Sequence, residues 1–165
     1  MERPRSGRVE PTAELLSLPG GYGTPAEPLT WPAVRRELES ARQYWFATVR
    51  PDGRPHVVPL DGMWIDDGWY YGGSPETVHA RTVLTNPEAV MHLPDPWRAV
   101  IVEGRVAHIE LDATEAEAMA ARASAKYPEY GEQPAGHYTT VRCLRPRRIL
   151  AWTSFPTDCT RLSFT

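Results

Sequence analysis

The alternation of apolar and polar positions is clearest from Trp45 to Pro59. There Trp45-Phe46-Ala47-Thr48-Val49-Arg50 and Pro55-His56-Val57-Val58-Pro59 flank the turn Pro51-Asp52-Gly53-Arg54. Proline presets φ at the first corner and glycine supplies the positive φ that other residues resist, so the runs read as a hairpin. A second hairpin is expected around Asp66-Asp67-Gly68, leading into Trp69-Tyr70-Tyr71. That strand breaks at Gly72-Gly73-Ser74-Pro75. A helix is predicted from there to Asn86, capped by Ser74, with Pro75 at its first position and Pro87 closing it. Upstream, Thr30 offers an N-cap, and Trp31, Val34, Leu38 and Ala41 recur at helical spacing. The opposite face, Arg35-Arg36-Glu37-Glu39, reads as solvated.

The second half continues in short runs. Ala89 to Leu93 is a predicted strand, ended by Pro94-Asp95-Pro96, and Arg98 to Ile109 a longer one. Gly104 inside the longer run suggests a bulge or sharp bend. Asp112 and Glu115 form a capping-box pattern ahead of an alanine-rich helix that should end near Lys126, before Pro128. Its stripe of Ala116, Met119, Ala120 and Ala123 reads as core or lid packing. A loop is expected over 128–137, then strands from Thr139 to Leu144, Arg147 to Trp152 and Thr160 to Phe164, the first two separated by Arg145-Pro146. With no internal repeat and no parallel βαβ alternation, the pattern implies a mainly β, α+β chain: antiparallel β with three peripheral helices.

Composition changes this picture at the N-terminus. Residues 1–29 hold five Pro and four Gly with few apolar residues, which reads as a flexible arm, with Leu15, Leu16 and Leu18 as a possible anchor. The folded domain is then 30–165. A net charge of −3 and a pI near 6.0 argue against a nucleic-acid binder. No run reaches transmembrane length and no apolar signal core is present, so no membrane association and a cytoplasmic location are the expectations. Cys143 and Cys159 show no metal-like pairing and are expected as free thiols.

Candidate chemistry concentrates where the Gly-Gly-Ser-Pro corner enters its helix. First-turn N–H groups lack partners and the helix dipole favours negative charge, while Thr77 adds a hydroxyl and His79 and Arg81 add potential positive charge. An ordinary capped helix with surface His and Arg is the alternative. The five histidines show no metal-ligand spacing, and no metal site is expected. Neither a Gly-x-Ser-x-Gly elbow nor a Gly-x-Gly-x-x-Gly loop is present, and no catalytic side chain can be named. The basic group Arg142, Arg145, Arg147 and Arg148 is either a solvated face or an attractor for an anionic tail.

The order of these pieces resembles the pyridoxamine 5′-phosphate oxidase-like family. The match rests on an Ala-Thr-Val-Arg-x-Asp-Gly-Arg-Pro-His hairpin, a second hairpin and a His-Ala-Arg-x-x-x-x-Asn-Pro segment, and is good over residues 42–109. The resemblance implies a flavin- or deazaflavin-binding split β-barrel oxidoreductase, a homodimer with cofactor sites at the subunit interface, and a small organic substrate. It places the backbone of His56, Val57, Val58 and Pro59 against the ring, and Tyr70, Tyr71 and Gly72 near the ribityl chain. Ser74, Thr77, His79 and Arg81 would form the phosphate corner. Thr77 and His79 stand where relatives usually carry Arg and Lys, which favours a deazaflavin (coenzyme F-420) over FMN. The alternatives are a non-catalytic flavin- or haem-binding barrel and an oligonucleotide-binding barrel, the latter disfavoured by the acidic pI.

Overall fold

The computed structural model describes residues 10–165. Its elements run β1 (Thr12–Leu15), α1 (Trp31–Ser40), β2 (Tyr44–Val49), β3 (Pro55–Leu60), β4 (Met63–Ile65), β5 (Gly68–Tyr71) and α2 (Val78–Thr85). Then follow β6 (Glu88–His92), β7 (Val100–Glu110), α3 (Ala113–Lys126), β8 (Thr140–Ala151) and β9 (Thr160–Ser163). Local chemistry explains most of these. Trp31, Val34 and Leu38 turn one face of α1 inward, as their spacing requires. The hairpin of β2 and β3 turns at Gly53, whose φ is 81°, and runs from Tyr44 opposite Leu60 to Val49 opposite Pro55. Helix α3 opens with the reciprocal box read from the sequence: Glu115 N–H donates to Asp112 Oδ1 and Asp112 N–H to Glu115 Oε2, each at 2.9 Å.

All strand pairs are antiparallel, in the order β1-β9-β8-β7-β6-β2-β3, with β5 joined to both β4 and β8. Strand β8 gives one edge to β7 from end to end and divides the other: its first part pairs β5 and its last part β9. This division makes the sheet a split β-barrel. The sheet curls until Phe46 on β2 meets Trp69 and Tyr71 on β5, with ring centroids 5.3 and 4.9 Å apart. Those rings and α1 fill the main core; Tyr70, Ile109, Met119 and Cys143 form a second one beneath α3. Both cysteines are buried thiols outside any disulfide among the described residues. Among the described residues no helix is long and apolar enough to cross a membrane.

Three expectations are corrected. The predicted break at Arg145-Pro146 is absent, and β8 is continuous. The ladder shifts register there, with Glu103 opposite Arg148 but Gly104 opposite Pro146, so the proline sits at a bulge that asks no ladder N–H of it. Helix α2 begins at Val78 rather than at the Ser74-Pro75 corner. The arm is not free of structure: β1 pairs β9, Ala26 N–H donates to the Thr157 carbonyl at 2.8 Å, and Leu29 N–H to Thr160 Oγ1 at 2.8 Å. Its residues 1–9 lie outside the described residues.

The glycine at the bulge follows from sterics. A Cβ on Gly104 would overlap the Arg145 carbonyl oxygen and lie 2.8 Å from its carbon. Backbone cannot yield as a side chain end can, so Gly104→Ala should cost about 1–3 kcal/mol of stability. Urea denaturation of the two proteins checks this, and an unchanged midpoint would contradict it.

Candidate functional site at the entry to helix α2

The corner after β5 is built by a glycine and a serine. Gly73 has φ 103°, the left-handed region that glycine adopts freely. Ser74 then closes a turn on itself: its Oγ accepts from Glu76 N–H at 3.2 Å, and its carbonyl from Thr77 N–H at 3.3 Å. These bonds compete with helix and delay its start, so the N-cap is Thr77. The Thr77 hydroxyl donates to the Ser74 carbonyl at 2.9 Å and lies 3.2 Å from His79 Nε2, so it does not cap the helix. The first helical bond is Arg81 N–H to the Thr77 carbonyl at 3.1 Å. The N–H groups of Val78, His79 and Ala80 therefore have no helical acceptor, and the first turn holds no acidic residue.

His79 is buried, with 5% of its surface exposed, and meets Phe46 edge-on at 6.0 Å between centroids. Its pKa is pushed below the ordinary histidine value by burial first, then by Arg142 and His56. Thus His79 is neutral at neutral pH. The nearby cation comes instead from β8. Arg142 Nη1 donates to the Gly73 carbonyl at 3.2 Å, and Arg142 stands opposite Tyr71 on β5 and His108 on β7. Sequence reading did not place it in the site; the only signal was the basic group it heads. The fold divides that group. Arg147 pairs with Glu88 and Arg148 with Glu103, while Arg142 forms no ion pair with a carboxylate among the described residues. The same holds for Arg81 and for Arg50, whose Nη2 lies 3.2 Å from His56 Nδ1. The Tyr71 hydroxyl and Arg142 Nε are buried and have no hydrogen-bond partner among the described residues.

Of the other residues read from the sequence, His56, Val57, Val58 and Pro59 lie on β3, which pairs β2 alone among the described strands and leaves its second edge open. Arg81 is exposed one turn along α2, and Gly72 is exposed at the end of β5. Tyr70 is separated from the corner: strand alternation turns it to the opposite face of β5, into the core beneath α3.

The model of the family described as pyridoxamine 5′-phosphate oxidase matches residues 30–153. The chain belongs to this family. Solved structures of the same fold include an F-420 reductase, 24% identical, with a TM-score of 0.53, covering 80% of this chain and 98% of that one. A FAD-binding protein from Mesorhizobium loti is 16% identical with a TM-score of 0.58, covering 82% and 96%. The haem storage protein HutZ from Vibrio cholerae is 17% identical with a TM-score of 0.58, covering 73% and 93%. No curated protein matches the chain in sequence. At these identities the likeness establishes the fold alone; two of these structures are named for a flavin-type cofactor, F-420 and FAD.

The residues present fit the anionic end of such a cofactor. Unfilled N–H groups, an orphaned Arg142 Nε and arginines without carboxylate partners are the donor set a phosphate uses. Thr77 and His79, the latter kept neutral by burial, add hydrogen-bonding groups but no charge.

Burial of His79 has a consequence for stability. A histidine whose pKa is depressed on folding binds its proton more readily in the unfolded chain. The stability it contributes is present above the ordinary histidine value of 6.5 and is lost as pH falls below it toward the folded-state value. His108, depressed chiefly by burial and then by Arg142, acts in the same direction. Thermal midpoints should therefore fall as pH is lowered below about 6.5, and His79→Gln should make the fall shallower. Identical pH profiles for the two proteins would place His79 in a solvated position instead.

Proposed function

We propose that this chain is an oxidoreductase that binds a deazaflavin or FMN, with the phosphate at the α2 corner and the ring along the open edge of β3. The observation that carries this reading is one of charge. Among the described residues, Arg50, Arg81 and Arg142 make no ion pair with a carboxylate, whereas Arg105, Arg147, Arg148 and Arg161 are taken up by Glu14, Glu88 and Glu103. A bound cofactor of this type supplies electron or hydride transfer to or from a small organic substrate. The protein's part is to bind, orient and exclude water. Arg142 and Arg81 supply charge, and the N–H groups of Val78, His79 and Ala80 supply directional donors. The free N–H and C=O groups of His56 to Pro59 suit the polar edge of the ring, with Pro59 contributing only its carbonyl.

Charge also bears on which cofactor. With Thr77 uncharged and His79 neutral, the corner is better matched to the singly charged phosphodiester of coenzyme F-420 than to the near-dianionic phosphate of FMN. Fluorescence-quenching titrations with both cofactors test this. Arg142→Ala and Arg81→Ala should each weaken binding by about 1–3 kcal/mol, the range for a charge-assisted hydrogen bond. Unchanged affinity for both cofactors in both variants would reject the corner. A Soret band on mixing with haem, without flavin binding, would favour the non-catalytic haem-binding alternative.

A homodimer belongs to the same proposal. Trp45, Val49 and Val57 alternate onto the outer face of the β2–β3 hairpin and are 38%, 43% and 51% exposed, beside the unpaired edge of β3. Such an apolar face next to an open edge favours burial against a second copy. Val57→Lys should shift the protein to monomer in light scattering and weaken cofactor binding with it; an unaltered mass would place the interface elsewhere.

A further inference from the structure

Strand β5 separates two environments. Trp69 and Tyr71 face the barrel core, and Tyr70 faces α3. On that second side lies a cavity of about 300 Å³, within the size range of ligand sites. Its inner wall is apolar and buried: Met63, Tyr70 and Val141 from the sheet, Met119 and Ala123 from α3. Its rim includes Tyr130, Tyr138 and the exposed Gly72-Gly73 backbone, where a Cβ on Gly72 would meet nothing within 4 Å.

The polar groups of this lining are largely occupied. The Tyr127 hydroxyl accepts from Gly62 N–H at 3.0 Å and lies 2.8 Å from the Gly62 carbonyl. The Tyr130 hydroxyl donates to Asp61 Oδ2 at 2.8 Å, and Gln133 Nε2 donates to the Tyr130 carbonyl at 3.0 Å. The Tyr138 hydroxyl makes no hydrogen bond with any described residue and is a donor-acceptor group at the rim able to orient a guest; the Tyr71 hydroxyl, likewise without one, belongs to the ring that faces the barrel core. Among the described residues no Lys, Arg or His lines the cavity, and Asp61 is the one charged side chain in its lining. An anion there would be desolvated against an apolar wall that offers it no charged donor; the guanidinium at the rim, Arg142, donates to the Gly73 carbonyl. A cation would find Asp61 already bound by Tyr130 and within the field of Arg42 and Lys126.

We infer that this cavity binds an uncharged compound of one or two fused rings, carrying one hydroxyl or carbonyl for Tyr138, and rejects charged analogues. Aromatic walls suit a flat guest, and the desolvation cost of a charge sets the selectivity. Calling that guest the substrate rests on the cofactor reading above, because the cavity opens beside Gly72-Gly73 at the entry to α2. Binding itself does not require the cofactor.

Calorimetry of the full chain at neutral pH, without cofactor, tests the inference with 2-naphthol, 2-naphthyl phosphate and a 2-naphthyl trimethylammonium salt. The two charged compounds should bind at least about tenfold more weakly than 2-naphthol. Ala123→Trp, which fills the cavity, should abolish 2-naphthol binding and leave the flavin and deazaflavin titrations unchanged. Should that variant unfold, Tyr138→Phe decides instead: it should weaken 2-naphthol severalfold and leave naphthalene unaffected. Equal or tighter binding of either charged compound would overturn the inference. So would 2-naphthol affinity that neither a folded Ala123→Trp nor Tyr138→Phe alters. Binding of 2-naphthol with the expected selectivity, alongside no binding of either cofactor, would support this inference while removing the cofactor reading alone.

Discussion

Strand β8 satisfies three neighbours with two edges. Along one side it pairs β7 from Thr140 to Ala151; along the other Arg142, Cys143 and Leu144 pair β5, and the stretch from Arg148 onward pairs β9. Between these two partners β8 bends. The bend is the register shift at Glu103 and Gly104, where only glycine lets the Arg145 carbonyl approach so closely. Because the bend lies there, the early part of β8 delivers Arg142 to the Gly73 corner, and the late part carries Arg147 and Arg148 toward Glu88 and Glu103. The geometry of the site therefore depends on a backbone constraint at some distance from it.

That division also sorts charge. Exposed ion pairs of the kind formed by Arg147 and Arg148 add little stability, but each removes an arginine from the set that can attract an anion. What remains near α2 is Arg142, Arg81 and an uncapped helix end, together with a histidine kept neutral by burial against Phe46. A ligand phosphate would meet fixed donors and permanent guanidinium charge rather than a titrating imidazole.

Helix α3 gives the second face of β5 its own environment. All four residues of β5 are buried, because α1 and the barrel core cover one face and α3 the other. Where α3 ends, Lys126 Nζ donates to the Tyr44 hydroxyl at 2.9 Å, and burial lowers its pKa to about 8. The Tyr44 hydroxyl in turn lies 2.8 Å from the Ala41 carbonyl, so the end of α3 is tied to the exit from α1. These ties hold the tyrosine-rich wall against the sheet.

Much of this was legible in the residues themselves, wherever short-range chemistry decides. Apolar spacing at Trp31, Val34 and Leu38 determined α1, Pro51-Asp52-Gly53 determined the first hairpin, and the Asp112–Glu115 box determined where α3 starts. Gly104 announced its bulge. Each depends on contacts within a few positions of sequence. Tertiary structure decided what those contacts cannot encode. Pro146 reads locally as a strand breaker, and only the bulge across from it on β7 shows that no ladder N–H is missed there. The segment Thr12–Leu15 is too short to signal a strand by itself, is exposed throughout, and is a strand because β9 offers it an edge. Arg142 is indistinguishable in sequence from Arg147 and Arg148, and His79 looks like a surface cation on a helix. Partners 59 to 69 positions away, Glu88 for Arg147 and Gly73 for Arg142, separate the former, and burial against Phe46 removes the charge from the latter. Long-range pairing and desolvation are properties of the assembled sheet, and no local pattern carries them.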